Sequence, residues 1–156
     1  MSNAPDLRHA AVGDVKTGKD VVIYQPANLY QCELGEGVFI GPFVEIQRDS
    51  RIGAGTRVQS HTFICEGVEI GRHCFIGHGV KFANDMFRDG APNPARESWG
   101  KITLGDNVSV GSNATILAVS ICDGVVIGTG SVVTKSITEK GVYAGNPATL
   151  LRRLAP

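Results

Sequence analysis

Large apolar residues recur every six positions along the middle of the chain, and a small or β-branched residue follows most of them four positions later. Glycine often stands directly after the apolar residue. A six-residue period of this kind is typical of the hexapeptide repeat of a parallel β-helix, in which three hexads make one triangular coil. Residues 18 apart are therefore predicted to stack in adjacent coils. The apolar positions of the uninterrupted block are Leu34, Ile40, Ile46, Ile52, Val58, Ile64, Ile70, Ile76 and Phe82.

The repeat extends beyond this block with small irregularities. It begins at about residue 17, with one residue missing just before the block. It stops after Phe82, resumes at Leu104 and drops one more residue before Ile121. We expect single-residue slips to be absorbed at corners. The pattern therefore predicts coils over about 17–138 within a single domain that spans 1–156.

Two segments lie outside the repeat. Residues 83–101 are rich in Asn, Asp, Pro and Gly, which predicts a loop. A loop of this length inside a compact domain is usually functional or disordered. Residues 139–156 are predicted to cap the last coil, because an open end exposes unpaired strand groups. Within the cap, Gly145–Pro147 is predicted to be a turn and residues 148–154 a short helix.

Composition narrows the possible functions and locations. Fifteen basic and fifteen acidic residues give no net charge, so there is no electrostatic case for nucleic-acid binding. No apolar run approaches the roughly 18 residues of a membrane span, and Met1–Arg8 lacks the apolar core of a signal peptide. The four cysteines are scattered, with no C-x-x-C pair, and Cys74 has the phase of a buried small hydrophobe. We therefore expect a cytoplasmic, reducing setting and no membrane partner.

The repeat, the 18-residue coil and the Gly145–Ala148 ending resemble the left-handed β-helix acyltransferases. That resemblance implies an all-β, left-handed parallel β-helix. Within the superfamily, Gln59–Cys65, Phe75–Asp85 and Ile102–Ile116 look like nucleotide-sugar N-acetyltransferases. This implies acetyl-CoA as cosubstrate, a nucleotide-linked amino sugar as acceptor and a role in bacterial surface-polysaccharide synthesis. It also implies a homotrimer with active sites between neighbouring prisms.

Asn84–Asp85 opens the loop and is the leading catalytic candidate. A sugar amine is a good nucleophile once it is deprotonated, so it needs acceptors that orient its N–H groups more than it needs a strong base. A carboxylate and an amide can do this. The alternative is loop capping, because Asn and Asp side chains also bond their own backbone in turns. The family's usual Pro-Arg after this pair is replaced by Met86–Gly90, which leaves the sugar open.

The histidines bear on the type of acceptor. O-acetyltransferases of simple sugars resemble this segment but place a His in the loop as general base, and residues 83–101 contain none. Its absence favours an amine acceptor over a hydroxyl. His61 and His78 are 17 apart and are predicted to share an edge. We assign His61 as a catalytic contact to sugar or acyl group and His78 as a substrate contact, with exposed corner residues as the alternative.

A zinc site is the less favoured interpretation. His73 and His78 are five apart, which matches a ligand pair of γ-class carbonic anhydrases. Such a site needs a third His about two coils upstream, where this chain has Gly37 and Val38. No metal is therefore expected.

The remaining site predictions follow from the resemblance. Backbone N–H groups near Gly111 are expected to hold the acyl oxygen, although glycine also recurs as plain repeat consensus. In the loop, Arg88 and Arg96 are candidates for the acceptor's pyrophosphate and Trp99 for its base, with loop anchoring as the alternative for Trp99. The acetyl-CoA contacts are predicted to be Ala114, Gly128, Thr129, Lys135, Asn146, Pro147 and Arg152. An O-acetyltransferase and a non-catalytic β-helix assembly protein remain the alternative functions.

Overall fold

The chain is a triangular parallel β-helix. A computed structural model describes residues 11–155, which form 21 short strands and one turn of 3₁₀ helix. Before the loop the strands are β1 (Val12–Gly13), β2 (Lys16–Thr17), β3 (Val22–Ile23), β4 (Asn28–Tyr30), β5 (Glu33–Leu34), β6 (Phe39–Ile40), β7 (Glu45–Ile46), β8 (Arg51–Ile52), β9 (Arg57–Val58), β10 (Phe63–Ile64), β11 (Glu69–Ile70), β12 (Phe75–Ile76) and β13 (Lys81–Phe82). After it come β14 (Thr103–Leu104), β15 (Ser109–Val110), β16 (Thr115–Ile116), β17 (Ser120–Ile121), β18 (Val126–Ile127), β19 (Val132–Val133), β20 (Gly141–Gly145) and β21 (Ala148–Arg153).

The strands form the three faces of the prism. Face A has the order β1-β4-β7-β10-β13-β16-β19, and face B has the order β2-β5-β8-β11-β14-β17. Face C has the order β3-β6-β9-β12-β15-β18-β20-β21. All neighbours pair in parallel except β20 and β21. The predicted all-β parallel β-helix is confirmed, because every third strand along the repeat joins the same sheet.

The predicted stacking register is also observed. Ile46 pairs with Ile64, 18 residues later, in the clean block. The spacing is 17 where the sequence drops a residue, as in Thr17 with Leu34. Across the loop it becomes 34, since Ile70 pairs with Leu104. Insertions and deletions therefore change the length of a coil at its corner without displacing the inward residues.

The inward positions form one continuous core. Ile40, Val58 and Ile76, which stack on face C, are each 0% exposed. Fully burying such a side chain contributes about 1.5–3 kcal/mol. The second repeat phase includes polar residues that are buried but hydrogen-bonded. Thr56 Oγ1, for example, donates to Gly71 O at 2.8 Å and Thr62 Oγ1 donates to Gly77 O at 3.0 Å. Cys74 is 2% exposed, as its phase predicts.

Each corner is a stack of tight turns that contains a residue of positive φ. At the corner between faces C and A (the C–A corner) these residues are Phe43, His61, Gly79, Asn113 and Gly130. At the corner between faces A and B (the A–B corner) they include Gln31, Asp49 and Gly67, and the B–C corner includes Gly55, His73 and Asn107. Asn, Asp and His tolerate this conformation better than other non-glycine residues. The turns therefore explain why polar side chains gather at the corners.

Two predicted boundaries need correction. The coils already include Val12, upstream of the predicted start at about residue 17, because β1 pairs with β4. The predicted helix over 148–154 is wrong: Ala148–Arg153 is a strand antiparallel to Gly141–Gly145. Strand β20 continues face C beyond β18, and β21 pairs with the exposed edge that a helix would have left open. The segment is still a cap, but it is a hairpin.

The predicted loop over 83–101 is confirmed between β13 and β14. Its regular structure is the single 3₁₀ turn Arg96–Ser98. Among the residues that the structure describes, no helix is long and apolar enough to cross a membrane. The signal-peptide prediction concerned Met1–Arg8, which lie outside the described residues.

Candidate active site

The interrupting loop leaves and rejoins the prism at the A–B corner. Its two ends are joined by a hydrogen bond from Gly100 N to Asn84 O at 2.9 Å. The side chain of Asn84 points back to the preceding coil, where Nδ2 donates to Glu66 O at 3.0 Å. The amide of Asn84 therefore fastens the start of the loop to the prism. Among the residues that the structure describes, none donates to its Oδ1 oxygen, which can therefore accept a further hydrogen bond.

Asp85 is tied into the loop by both of its carboxylate oxygens. Oδ1 accepts from Phe87 N at 3.0 Å and Oδ2 accepts from Asn93 N at 2.7 Å. These are the loop-capping contacts that the sequence left open as the alternative. Each oxygen keeps a second lone pair, so the same carboxylate can also accept from a substrate amine. The contacts fix where that carboxylate points.

Trp99 anchors the returning end of the loop. Its Nε1–H donates to Asn93 O at 2.8 Å, and the Asn93 side chain accepts from Ala95 N at 2.9 Å. Asn93 thus touches Asp85 through its N–H and Trp99 through its carbonyl. These contacts are the loop anchoring that the sequence left open as the alternative for Trp99, and its role as a substrate contact stays a prediction.

Two cavities flank Asn84. The first, of about 200 Å³, is lined by Asp85, Arg88, Asp89 and other loop residues. The second, of about 310 Å³, lies between Glu66, in the coil that precedes the loop, and Trp99. A larger open trough of about 530 Å³ runs along face B, but repeat glycines and paired surface charges line it. The two cavities beside Asn84 thus bring carboxylate, amide and guanidinium groups close together.

His61 and His78 share the C–A corner, as the 17-residue spacing predicts. The His61 ring is exposed and stacks on Phe43, with centroids 4.9 Å apart and planes inclined by 28°. The main chain of His78 accepts from Asn113 N at 2.8 Å, and its side chain is exposed. Face A separates this corner from the loop. Within one chain the structure therefore does not bring His61 together with Asn84–Asp85.

The predicted acyl and acetyl-CoA positions follow the same C–A corner upward. Gly111 N donates to Ile127 O at 2.8 Å, so its own N–H is already used between coils. A Cβ on Gly111 would lie 2.5 Å from Thr129 N, which shows how closely these two turns pack. Ala114 is fully buried, whereas Thr129 is exposed at the edge of the last coils. Gly128 N likewise donates to Tyr143 O at 2.8 Å.

The other predicted acetyl-CoA residues lie at the C-terminal end of the prism. Asn146 and Pro147 form the turn of the closing hairpin between β20 and β21. Arg152 lies on β21 opposite Val142, and Lys135 follows β19. Both basic side chains are exposed. They are distributed along the end of the prism and do not form one cluster.

His73 lies at a different corner from His78. It is part of the B–C corner, where a Cβ on Gly55 would be 2.5 Å from His73 Nδ1. Among the described residues, no three His, Cys, Asp or Glu side chains are grouped so that they could hold a metal ion.

Two residues near the site were not singled out from the sequence. Glu66 contacts both ends of the loop, although a Glu at a repeat corner looks like an ordinary solvated residue. Phe43 supports His61 while its own φ is 59°, a conformation that is strained for a bulky side chain. An aromatic residue at a corner position otherwise held by Gly, Asn or His was the available signal.

Comparison with known proteins identifies the repeat. A model described as the hexapeptide repeat of succinyl-transferase matches residues 101–135. A model of the bacterial transferase hexapeptide matches residues 31–65 and 49–84. Together the two models cover more than half of the chain. A putative acetyltransferase of Staphylococcus aureus is 40% identical over 63 residues, which are 40% of this chain and 32% of that protein.

The longer alignments are to proteins of varied size. The bifunctional protein GlmU of Synechococcus is 30% identical over 139 residues, or 88% of this chain and 28% of that protein. The chain thus spans about a third of the length of the curated relatives it matches. Among solved structures, the N-acyltransferase AntD of Bacillus cereus, in complex with dTDP and coenzyme A, has a TM-score of 0.79 at 23% identity. That match covers 89% of this chain and 84% of AntD.

Two further structures show the same fold. A variant of perosamine N-acetyltransferase of Caulobacter crescentus, in complex with CoA and GDP-perosamine, has a TM-score of 0.70 at 21% identity, covering 83% of this chain and 55% of that one. A maltose O-acetyltransferase of Clostridium difficile has a TM-score of 0.60 at 25% identity, covering 90% and 70%. Proteins with different acceptors therefore share this prism.

Proposed function

Since the chain belongs to the hexapeptide-repeat transferases, with their left-handed β-helix fold, we propose that it is an acetyl-CoA-dependent N-acetyltransferase. The proposed acceptor is the amino group of a nucleotide-linked amino sugar, used in the cytoplasm for bacterial surface-polysaccharide synthesis. The observation that carries the proposal is the Asn84–Asp85 pair, fixed between two cavities in a loop without histidine. The AntD and perosamine N-acetyltransferase structures, which hold coenzyme A together with dTDP or CoA together with GDP-perosamine, support the same class.

The proposed reaction is direct acyl transfer. The neutral amine attacks the thioester carbonyl, the C–N bond forms and the carbonyl oxygen takes the negative charge. Collapse of this intermediate breaks the C–S bond and expels the CoA thiolate. The proton lost from nitrogen is passed to that thiolate, so the products are the acetamide and free CoA thiol. Asp85 and Asn84 orient the amine through their free acceptor lone pairs. The acyl oxygen is held by turn amides beside Gly111, since the Gly111 N–H already bonds Ile127 O.

A homotrimer completes this site in the proposal. The loop and the His61–His78 edge lie at different corners of one prism, so neighbouring prisms are needed to place them in one cleft. Exposed aromatic side chains on face C and its corner offer apolar surface for that contact. Tyr24, Phe43 and Phe75 are 54%, 57% and 42% exposed. The acetyl-CoA then extends along the C–A corner towards Thr129, Lys135 and Arg152.

Substitution of Asp85 tests the catalytic assignment. Asp85→Ala is expected to lower kcat/KM for a 3-amino nucleotide sugar by about 10²-fold or more, the typical range for a lost acid–base or orienting group. Asp20→Asn, at an exposed aspartate of the B–C corner away from both cavities, is the control and should retain activity. Because Asp85 also caps the loop, Trp99 fluorescence is measured to detect loop displacement. An unchanged rate in Asp85→Ala would remove the proposed role.

An O-acetyltransferase is the second candidate function, favoured by the likeness to the maltose O-acetyltransferase. The two are separated by offering matched nucleotide sugars that carry an amine or a hydroxyl at the same carbon. Mass spectrometry then identifies the acetylated product. A non-catalytic assembly role predicts no acetyl-CoA binding, which calorimetry measures directly.

A further inference from the structure

Glu66 contacts the interrupting loop at both of its ends. It lies at the A–B corner in the coil that precedes the loop, and its side chain is only 17% exposed. Its main-chain oxygen accepts from Asn84 Nδ2 at 3.0 Å, at the start of the loop. Its Oε1 accepts from Arg96 Nη1 at 3.4 Å, near the end of the loop. One residue of the prism therefore bridges the departing and the returning chain.

The prism holds Glu66 in place from the other side. Arg48 Nε lies 3.7 Å from Glu66 Oε2, and the Arg48 guanidinium is 5.9 Å from the centre of the Tyr30 ring. Gln47 Oε1 accepts from Glu66 N at 3.2 Å. These contacts fix both the backbone and the carboxylate of Glu66 independently of the loop. The carboxylate therefore presents a fixed anion to Arg96.

Contacts inside the loop connect Arg96 to the candidate catalytic carboxylate. Arg96 begins the 3₁₀ turn that ends just before Trp99, and Trp99 Nε1 donates to Asn93 O. The N–H of Asn93 donates to Asp85 Oδ2 at 2.7 Å. Displacement of Arg96 would thus shift the segment around Asn93, whose N–H bonds the Asp85 carboxylate. The opposite end, at Asn84, is set by the same glutamate.

We propose that Glu66 is a positioning residue that docks the loop on the prism and so sets the direction of the Asp85 carboxylate. It does not touch the substrate in this proposal. The effect on activity rests on the proposed function, whereas the docking of the loop does not. Without the Glu66 charge, Arg48 and Arg96 lose the anion that lies within 4 Å of each of them, and the attraction that holds Arg96 to the prism is removed.

The single tryptophan of the chain supplies a direct readout, because Trp99 lies in the loop. In Glu66→Gln we expect acrylamide to quench Trp99 fluorescence at least twofold more efficiently than in the wild type. Glu36→Gln, an exposed glutamate at the B–C corner, is the matched control and should leave quenching unchanged. Arg96→Gln should increase quenching as Glu66→Gln does. The double variant should add little beyond either single change, as residues sharing one interaction do.

Steady-state kinetics then test positioning against a merely structural role. Glu66→Gln is expected to lower kcat/KM for the amino acceptor about tenfold, with KM for acetyl-CoA and the thermal midpoint unchanged. Glu66→Asp, which keeps the charge, should recover part of the loss. Quenching equal to wild type in Glu66→Gln overturns the proposal, and so does raised quenching with full acceptor kcat/KM. If the wild-type enzyme acetylates no amino sugar, the proposed function fails while the quenching result still decides the docking.

Discussion

Substitution of Gly71 tests the close packing between coils. Gly71 follows the inward Ile70 on face B, and its N–H donates to Leu104 O at 2.9 Å across the loop insertion. A Cβ at this position would lie 2.5 Å from the carbonyl carbon of Gly105 and 2.6 Å from Asp106 Oδ1. Real Cβ contacts are rarely shorter than 3.4 Å. The next coil would therefore have to move by nearly 1 Å, out of a coil spacing of about 4.8 Å.

The change in the free energy of unfolding caused by Gly71→Ala follows from two opposing effects. Overpacking of this kind costs about 1–3 kcal/mol, and the smaller conformational entropy of unfolded alanine returns about 0.4–1 kcal/mol. Gly71→Ala is therefore expected to lower the free energy of unfolding by about 1–2 kcal/mol. For a chain of this size that corresponds to a fall in Tm of about 2–8 °C.

The assay is urea unfolding followed by circular dichroism, with calorimetry for the Tm. Gly13→Ala is the matched control, since no atom of the residues that the structure describes lies within 4 Å of a Cβ placed there. It should leave stability within about 0.5 kcal/mol of the wild type, as surface substitutions usually do. Equal stability of the two variants would refute the packing explanation for the repeat glycines.

Two further predictions concern ionisable groups. Asp106 accepts hydrogen bonds from the side chain and the backbone of Arg72, and these hold the pKa of Asp106 below its ordinary value of 3.8. The pair therefore stabilises the fold above pH 3.8, and this stabilisation is lost as the pH falls through the lowered pKa. The urea midpoint of Asp106→Asn should lie below that of the wild type at pH 7 and approach it below about pH 4; a difference independent of pH would contradict this. Burial raises the pKa of Cys32 and Cys65 to about 11, so both should resist a thiol reagent at pH 8 in the folded protein. The half-buried Cys122 should react first, and equal rates for all cysteines would contradict the burial.

The fold was largely predictable because the six-residue period has one physical explanation. A residue such as Ile64 can recur at this interval and remain buried only if each hexad turns one corner. The single-residue deletions before Leu34 and Ile121 could be recognised for the same reason, since they shorten a corner and leave the inward-facing positions of the strands unchanged. The pairing of strand β1 at Val12 was missed because the first coil has polar Thr17 where the later coils have a large apolar residue, so the six-residue apolar pattern is weak there.

The helix predicted for the C-terminal cap was wrong because pairing with strand β20 overrode the local preference of residues 148–154. Leucine, alanine and arginine in residues 148–154 favour a helix by intrinsic propensity, but such preferences are weak. The open edge of Gly141–Gly145 offers a full set of hydrogen bonds to a strand returning through the Asn146–Pro147 turn. Two extended runs around a Gly-Asn-Pro turn were the available signal for a hairpin.

The sequence located the residues of the candidate site but not their contacts. Asn84–Asp85 stood out because the repeat breaks there. Their partners did not, since Glu66 is brought to Asn84 by the coil and Asn93 to Asp85 by the path of the loop. The position of His61 relative to the loop likewise depends on which corner each one occupies.

The loop between β13 and β14 also bears on how such a chain can change. Pairing Ile70 with Leu104 closes 34 residues where a regular coil closes 18, and the added closure entropy is only about 0.6 kcal/mol. Lengthening, shortening or replacing this segment therefore leaves the folding equilibrium of the prism nearly untouched. Selection can remodel the loop, which is proposed to face the acceptor, while the stacked coils stay the same, so new substrate preferences can arise at a corner without a new fold.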